Sequence, residues 1–532
     1  MKKENLIYST LVLTIASIIT RIIGMIFRIY LSNKIGAVGM GLYQMILSVY
    51  SFTSTFATSG VVVAVSSLVS AHLARHEGRC AKYIMHFCIC LSIALGLTAG
   101  AVLYFGSEPI STLLIKDANA AFSLKILAPG LTFMSLSSCY RGYFLAISKV
   151  SKPAIAMIIE QLSRMMVIVA FMGIWLPLGI QYACAAAVIG MTASEIISAL
   201  YMYFVYLRNT APLKENSASE CNTQKRSLIK SVLKMAVPVA VSSYLQSTLR
   251  LVENILLPNS LKKYAGNNDS GMGVYGSLKG MVMPLLMFPS VFLSSLSVSL
   301  VPEISRSISI DNTKRVNMTL NRVFKITLLT SIMIVAVFLT FSHELGIALY
   351  NSNEVGMMLA MLAPLCPFMY LEIVVSGILR GLNEQLCSLK YNTIDSVMRI
   401  VLIFLIVPYR GLYGFIIIMY LSNIYTSMSG IIRLLKVTTV SFNMKDWLLK
   451  PCVAALISAM LFKGIFRFII PSGINIWLSL VLSIFLLCFS YIFLLVLTRC
   501  IHKNELRWIG KKLKAPAGKK QNKEVSVTSL FL

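Results

Sequence analysis

Charge is scarce in this chain, and negative charge is scarcest. Of 532 residues 13% are charged, and 20 acidic side chains face 48 basic ones. A soluble chain of this length carries roughly a quarter charged residues to cover its surface, so a water-soluble fold is disfavoured. The eleven cysteines include no Cys-x-x-Cys pair, and Cys88 and Cys90 lie one residue apart in a single apolar run. No zinc or disulfide framework is recognisable in that spacing. There is no G-x-x-x-x-G-K-[ST] loop and no H-E-x-x-H motif, which argues against ATP hydrolysis by a P-loop and against a zinc protease. No catalysis, metal site or cofactor is expected. The net charge of +28 does not point to nucleic acid either. Its basic residues punctuate apolar runs rather than lining one solvated face.

What is present is hydrophobicity: 57% of residues are apolar and the mean hydropathy is +0.78. A membrane span needs roughly 20 mainly apolar residues. Such runs lie near 6–32, 38–70, 82–105, 118–147, 153–177, 181–207, 228–257, 272–302, 318–343, 354–380, 386–408, 412–435, 447–469 and 474–499. The expected fold is therefore an all-α polytopic membrane protein with about fourteen transmembrane helices. The first run follows Lys2 and Lys3 but passes Arg21 and Arg28 without a small-residue cleavage site, so it reads as a retained helix.

The connecting loops alternate in charge. One set carries Arg75, Arg79, Lys82, Lys149, Lys152, Arg208, Lys214, Lys225, Arg306, Lys314, Arg433, Lys436 and the Lys-rich tail. The other holds little beyond Lys34, Lys116, Lys262, Lys263 and Arg410. The positive-inside rule makes the first side cytoplasmic, with both termini inside a cytoplasmic membrane. The stretch 208–227 and the tail 501–532 are polar and read as orientation signals, the tail also as a contact for anionic lipid headgroups.

The sequence also repeats itself. Gly39-Met40-Gly41-Leu42-Tyr43 recurs as Gly271-Met272-Gly273-Val274-Tyr275, and Ser67-Leu68-Val69 as Ser299-Leu300-Val301. Arg141-Gly142 recurs as Arg380-Gly381, and Glu160-x-x-x-Arg164 as Asp395-x-x-x-Arg399. The matches keep their order. The expected organisation is an N-lobe over 1–207 (helices 1–6), a cytoplasmic linker over 208–227 and a C-lobe over 228–436 (helices 7–12). Helices 13–14 follow over 437–500, then a basic tail over 501–532. Six spans per lobe is even, so the repeat is parallel, with its pseudo-two-fold axis along the membrane normal and a cavity between the lobes.

Ionisable groups at bilayer depth are costly and normally face a partner or an aqueous cavity. Arg21 and Arg28 fall in helix 1, Arg250 and Glu253 in helix 7, and Lys279 in helix 8. These are the candidate substrate-binding residues, because an arginine fork suits phosphate oxygens. Glu253 would hold one of the cations until substrate displaces it. Arg141 and Arg380 sit at cytoplasmic helix ends, where snorkelling and substrate capture are both open. Glu160 with Arg164, and Asp395 with Arg399, have the i,i+4 spacing of an intrahelical ion pair.

Several of these segments resemble the polysaccharide transporter branch of the multidrug/oligosaccharidyl-lipid/polysaccharide (MOP) exporter superfamily. They are Thr20-Arg21-Ile22-Ile23-Gly24, the Gly39–Tyr43 motif, Arg141-Gly142-Tyr143-Phe144, Glu160-Gln161 with Arg164, and Ser299-Leu300-Val301-Pro302-Glu303-Ile304-Ser305. The likeness covers nearly the whole chain apart from the tail. It implies two six-helix lobes that alternate between inward-open and outward-open. The cargo it implies is an undecaprenyl diphosphate-linked saccharide or peptidoglycan precursor, in spore-cortex or cell-envelope synthesis. In flippases of that branch helix-1 arginines and a helix-7 basic residue line the cavity, which matches Arg21, Arg28 and Arg250. The chain departs from the pattern at Leu145-Ala146, where Gln-Gly is usual, and at Glu253, where Asp is common. A coupling ion and envelope-synthesis proteins are further candidate partners. Two other readings stand beside this one: a cation-coupled drug exporter of the same superfamily, and a membrane scaffold of envelope synthesis that transports nothing.

Overall fold

The computed structural model describes residues 6–210, 225–309, 313–382, 384–438, 445–469 and 476–500. Most of the 208–227 stretch and the tail 501–532 lie outside them. Every long apolar run is helical. In chain order the main helices are α1 (Leu6–Thr58), α2 (Val61–Ala74), α3 (Gly78–Phe105), α4 (Ala120–Ala146), α5 (Ser151–Trp175) and α6 (Ile180–Arg208). They continue with α7 (Lys225–Ala265), α8 (Asn268–Tyr275, running on through a π-helical turn, Gly276–Val282) and α9 (Ser290–Ser309). The rest are α10 (Thr313–Thr340), α11 (Ser342–Tyr350), α12 (Asn353–Leu362), α13 (Cys366–Gly381), α14 (Gln385–Val437), α15 (Lys450–Ile469) and α16 (Ile476–Leu497).

Eleven helical stretches among the described residues are long and apolar enough to cross a membrane. Two of them count double. α1 and α14 are each 53 residues long, or about 80 Å at 1.5 Å per residue, against a hydrocarbon core of about 30 Å. Each is broken by one glycine with non-helical dihedrals: Gly36 (φ 69°, ψ −176°) in α1 and Gly411 (φ 54°, ψ −134°) in α14. The runs near 6–32 and 38–70 meet at the first, and those near 386–408 and 412–435 at the second. Other runs are less continuous than hydropathy suggests. The 38–70 run breaks at Gly60, whose φ is 83°. The 272–302 run breaks between α8 and α9 at Phe288-Pro289, and 354–380 divides at Ala363–Leu365. Proline accounts for the last two breaks, since it lacks the N–H that would continue the helix.

The backbone carries its own trace of the repeat. Positive φ occurs at Gly36 and Gly266, at Lys116 and Asn351, and at Gly179 and Gly411, in that order and each pair about 230 to 235 residues apart. Turn positions therefore recur at nearly the offset of the sequence motifs.

The outer surface is apolar, as lipid requires: Leu97, Val102, Phe404, Met460 and Val481 are all more than half exposed. The interior is built from small residues. Ala183, Cys184, Ala185, Ala186 and Ala187 of α6 are each fully buried, which lets neighbouring backbones come close where water supplies no hydrophobic drive. Buried hydroxyls mostly bond back to their own helix, as Thr53 does to the Val49 carbonyl at 3.1 Å. α3 packs on α4, α4 and α5 on α6, α9 and α10 on α13, and α7 on α14. α15 and α16 pair with each other and lean on α10, where the Tyr491 hydroxyl donates to the Leu329 carbonyl at 3.0 Å.

The duplicated Gly-Met-Gly segments meet face to face. α1 crosses α8 and its π-helical turn with Gly41 against Met272 and Gly280 against Met40. At Gly276 a Cβ would run into the Ala37 carbonyl oxygen, so a larger residue there must push two backbones apart. Gly276→Val is expected to lower stability by about 3 kcal/mol, because overpacking against backbone has no rotamer to relieve it. Thermal unfolding in detergent checks this, and an unchanged transition would mean the crossing is looser than drawn. A second crossing joins α2 to α7, with Gly60 against the Ala236 carbonyl. Beside it the Tyr244 hydroxyl donates to the Phe56 carbonyl at 3.1 Å and the Ser247 hydroxyl to Thr55 Oγ1 at 3.3 Å.

Candidate functional site

Among the described residues, one network of buried and half-buried charge stands out in each half of the bundle. In the C-terminal half, Glu253 of α7 is 3% exposed. One of its oxygens accepts from Lys279 Nζ at 3.3 Å, and the other lies 3.3 Å from Arg399 Nη1. Arg399 also pairs with Asp395 one turn back on α14, Nε to Oδ2 at 3.1 Å. Glu253 thus ties α7 to α8 and α14 together. Lys279 sits in the π-helical turn, with its ammonium 5.8 Å from the centre of the Phe415 ring, within cation–π range. Glu253 engages Lys279 and Arg399 and makes no ion pair with Arg250, its neighbour one turn away. Removing the anion leaves two cations facing each other. Glu253→Gln is therefore expected to cost about 2 kcal/mol of stability, the worth of hydrogen bonds to a charged group. A thermal shift in detergent measures it; an unshifted variant would show the pair to be loose.

The related pair in the N-terminal half sits in a different network. Glu160 accepts from Arg164 Nη2 at 2.9 Å, the i,i+4 contact, and from Arg141 Nη2 of α4 at 2.8 Å. Arg164 Nη2 also lies 3.8 Å from Glu195 Oε1 of α6, and Arg164 Nε donates to the Ser194 hydroxyl at 3.2 Å. Glu195 and Ser194 were missed in the sequence. The available signal was an acid embedded in the Ala-rich apolar run of 183–199. Glu372 of α13 was missed in the same way. It lines a narrow crevice with Ser376, Ser388, Tyr391, Asn392 and Thr426.

The remaining candidates are solitary. Arg21 and Arg28 lie seven residues apart on α1, hence on one face and about 10 Å apart along the axis. Between them Gly24 faces the Gln161 side chain of α5, next to Glu160. Arg21, Arg250 and Arg380 are exposed and Arg28 is half-buried. Among the described residues none of these four arginines has a carboxylate within ion-pair distance.

An all-helical bundle with charge inside and apolar side chains outside is the form of a multi-pass membrane protein, and the comparisons with known proteins agree. Residues 6–308, more than half of the chain, match the family described as polysaccharide biosynthesis protein. The chain belongs to that family. Residues 277–405 also match MatE. Stage V sporulation protein B of Bacillus subtilis is 25% identical over 96% of this chain and 98% of its own length. The lipid II flippase MurJ of the same organism is 22% identical over 75% of this chain and 77% of its own length. A solved structure of the lipid II flippase MurJ, in its inward closed conformation, superposes with a TM-score of 0.65 at 16% identity, covering 91% of this chain and 98% of that one. This polysaccharide biosynthesis family member is thus a multi-pass membrane protein with the fold of the MATE and MurJ structures.

Proposed function

We propose that the chain moves a lipid-linked saccharide or peptidoglycan precursor across the cytoplasmic membrane by alternating access. Its lobes would be 1–207 and 228–436, and its termini cytoplasmic, as the loop charges require. The observation that carries the reading is the set of cations with no resident anion. In lipid a charge is expected to be paired or to face water, yet Arg21, Arg28 and Arg250 have no carboxylate in reach among the described residues, while Lys279, Arg399, Arg141 and Arg164 all do. A diphosphate supplies the missing charge, and a guanidinium binds it through two parallel hydrogen bonds. Lys279 and Glu253 act as the clasp between α7 and α8 rather than as primary ligands. The names of the relatives, a sporulation protein and a lipid II flippase, support an undecaprenyl diphosphate carrier for the saccharide.

The test is reconstitution of the purified chain into liposomes that contain fluorescent lipid II in both leaflets, with quenching from outside to report exchange. Exchange faster than in protein-free vesicles is expected. A rate equal to that of empty vesicles overturns the proposal. The MatE match favours one alternative, cation-coupled drug export. Dye efflux by the same vesicles would select it.

A further inference from the structure

Glu195 lies deeper in the protein than the other charged members of the N-terminal network. It is 4% exposed. Its Oε1 faces Arg164 at 3.8 Å, too long for a hydrogen bond. Its Oε2 is fully enclosed and has no hydrogen-bond partner. One turn further along α6, the Ser198 hydroxyl is likewise enclosed and without a partner. Arg164, meanwhile, is committed to Glu160 at 2.9 Å and to the Ser194 hydroxyl. Two carboxylates therefore compete for one half-buried guanidinium, and Glu160 holds the shorter contact and a second cation, Arg141. Burying an anion with one bare oxygen is expensive. A proton on that oxygen removes the charge and turns an orphaned acceptor into a donor.

We infer that Glu195 is a proton-binding site that couples this transporter to a transmembrane pH gradient. The step is a simple addition: one proton from water bonds to Glu195 Oε2, the carboxylate becomes a neutral acid, and no other bond changes. The ionised form draws Arg164 toward α6, whereas the protonated form leaves its ion pairing to Glu160 on its own helix, with the Ser194 hydroxyl as its remaining bond to α6. Proton occupancy thereby alters the link between α5 and α6. Glu160 and Arg141 are both more exposed than Glu195 and offer the route from water. The charged and titratable groups facing Glu195 are Glu160 and Arg164 of α5, Arg141 of α4 and Tyr50 of α1. A metal ion suits this place poorly, because Arg164 already brings a positive charge to it. The C-terminal half has a different arrangement: the residue about 232 positions after Glu195 is Ser427, whose hydroxyl donates to the Phe368 carbonyl at 2.7 Å. Asp395 is the comparable buried carboxylate there, its Oδ1 enclosed and without a hydrogen-bond partner, but its Oδ2 lies 3.1 Å from Arg399 Nε.

The inference rests on the transport reading, so its test includes a measurement that needs no transport. Infrared difference spectra of the purified, lipid-reconstituted chain between acid and neutral pH should show a buried protonated-carboxyl band. That band should be absent from Glu195→Gln and shifted in Glu195→Asp. A band unchanged in Glu195→Gln overturns the inference whatever the transport assay gives. In lipid II exchange, an imposed gradient of one pH unit should bias the wild-type distribution by up to about tenfold for one coupled proton. The bias should vanish in Glu195→Gln and persist in Glu195→Asp. A bias that survives in Glu195→Gln, or that follows a sodium gradient at constant pH instead, also overturns it. Absence of any lipid II exchange in the wild type would instead count against the proposed function, leaving the infrared result to judge Glu195.

Discussion

Replacing Arg21 or Arg28 by alanine is expected to slow lipid-precursor exchange by about 10- to 100-fold while leaving the fold intact. The size follows from the loss of charge-assisted hydrogen bonds to a diphosphate, about 1.5–3 kcal/mol for each arginine. The sparing of stability follows from the structure. Neither arginine has an acidic partner among the described residues, so neither removal strands a buried carboxylate. Arg164→Ala is the contrasting variant. It would leave Glu160 with one cation and Glu195 with none, and should lower thermal stability as well as transport. Lysine at position 21 or 28 keeps the charge but loses the planar fork, and should give an intermediate rate. The measurement is initial exchange rate per folded protein, with thermal unfolding of each variant alongside. An undiminished rate in both single variants and in the double variant removes Arg21 and Arg28 from the binding site.

Much of this arrangement was legible in one dimension, and the remainder depended on contacts between helices. Apolar runs of span length became helices because the bilayer leaves the backbone no other way to satisfy its hydrogen bonds. Glu160 with Arg164 and Asp395 with Arg399 were readable because i,i+4 spacing places both members on one face whatever the helix packs against. The partners of Glu253 were not. Lys279 and Arg399 lie 26 and 146 residues away, and the rotation of α7 that brings them together is set by packing with α8 and α14. The adjacent Arg250 was the obvious partner in sequence, and it makes no ion pair with Glu253. Hydropathy overlooked Glu195 for a related reason. One acid in a run dominated by Ala, Ile and Val barely alters a windowed average, although its burial makes it chemically the most unusual carboxylate in its half. The breaks at Gly60 and Pro289 escaped because apolarity continues through them.

A disulfide across the α1–α8 crossing is expected to stop transport outright. A Cβ placed on Gly273 would sit 3.9 Å from the Ala37 Cβ, within the range of about 3.5–4.5 Å that a disulfide requires. The pair Ala37→Cys and Gly273→Cys should therefore cross-link on mild oxidation. Neither change should disturb the crossing beforehand, since the Gly273 site has ordinary van der Waals clearance and a backbone any residue can adopt. Alternating access needs the lobes to part at one end while they hold at the other. The Gly36 kink, the duplicated Gly-Met-Gly segments and the Gly276 contact with Ala37 concentrate the closest approach of the two halves in this place. Pinning it should reduce lipid II exchange to that of empty vesicles, with recovery on reduction. The single-cysteine variants, carrying the native thiols, should keep wild-type rates in both conditions. Full exchange in protein shown by mass to be cross-linked would mean that this crossing stays closed throughout the cycle. The moving seam would then be the other one, where Gly60 meets Ala236 and Tyr244 meets Phe56. The same duplicated motif that exposes the repeat in the sequence would, in that outcome, be a fixed hinge rather than a gate.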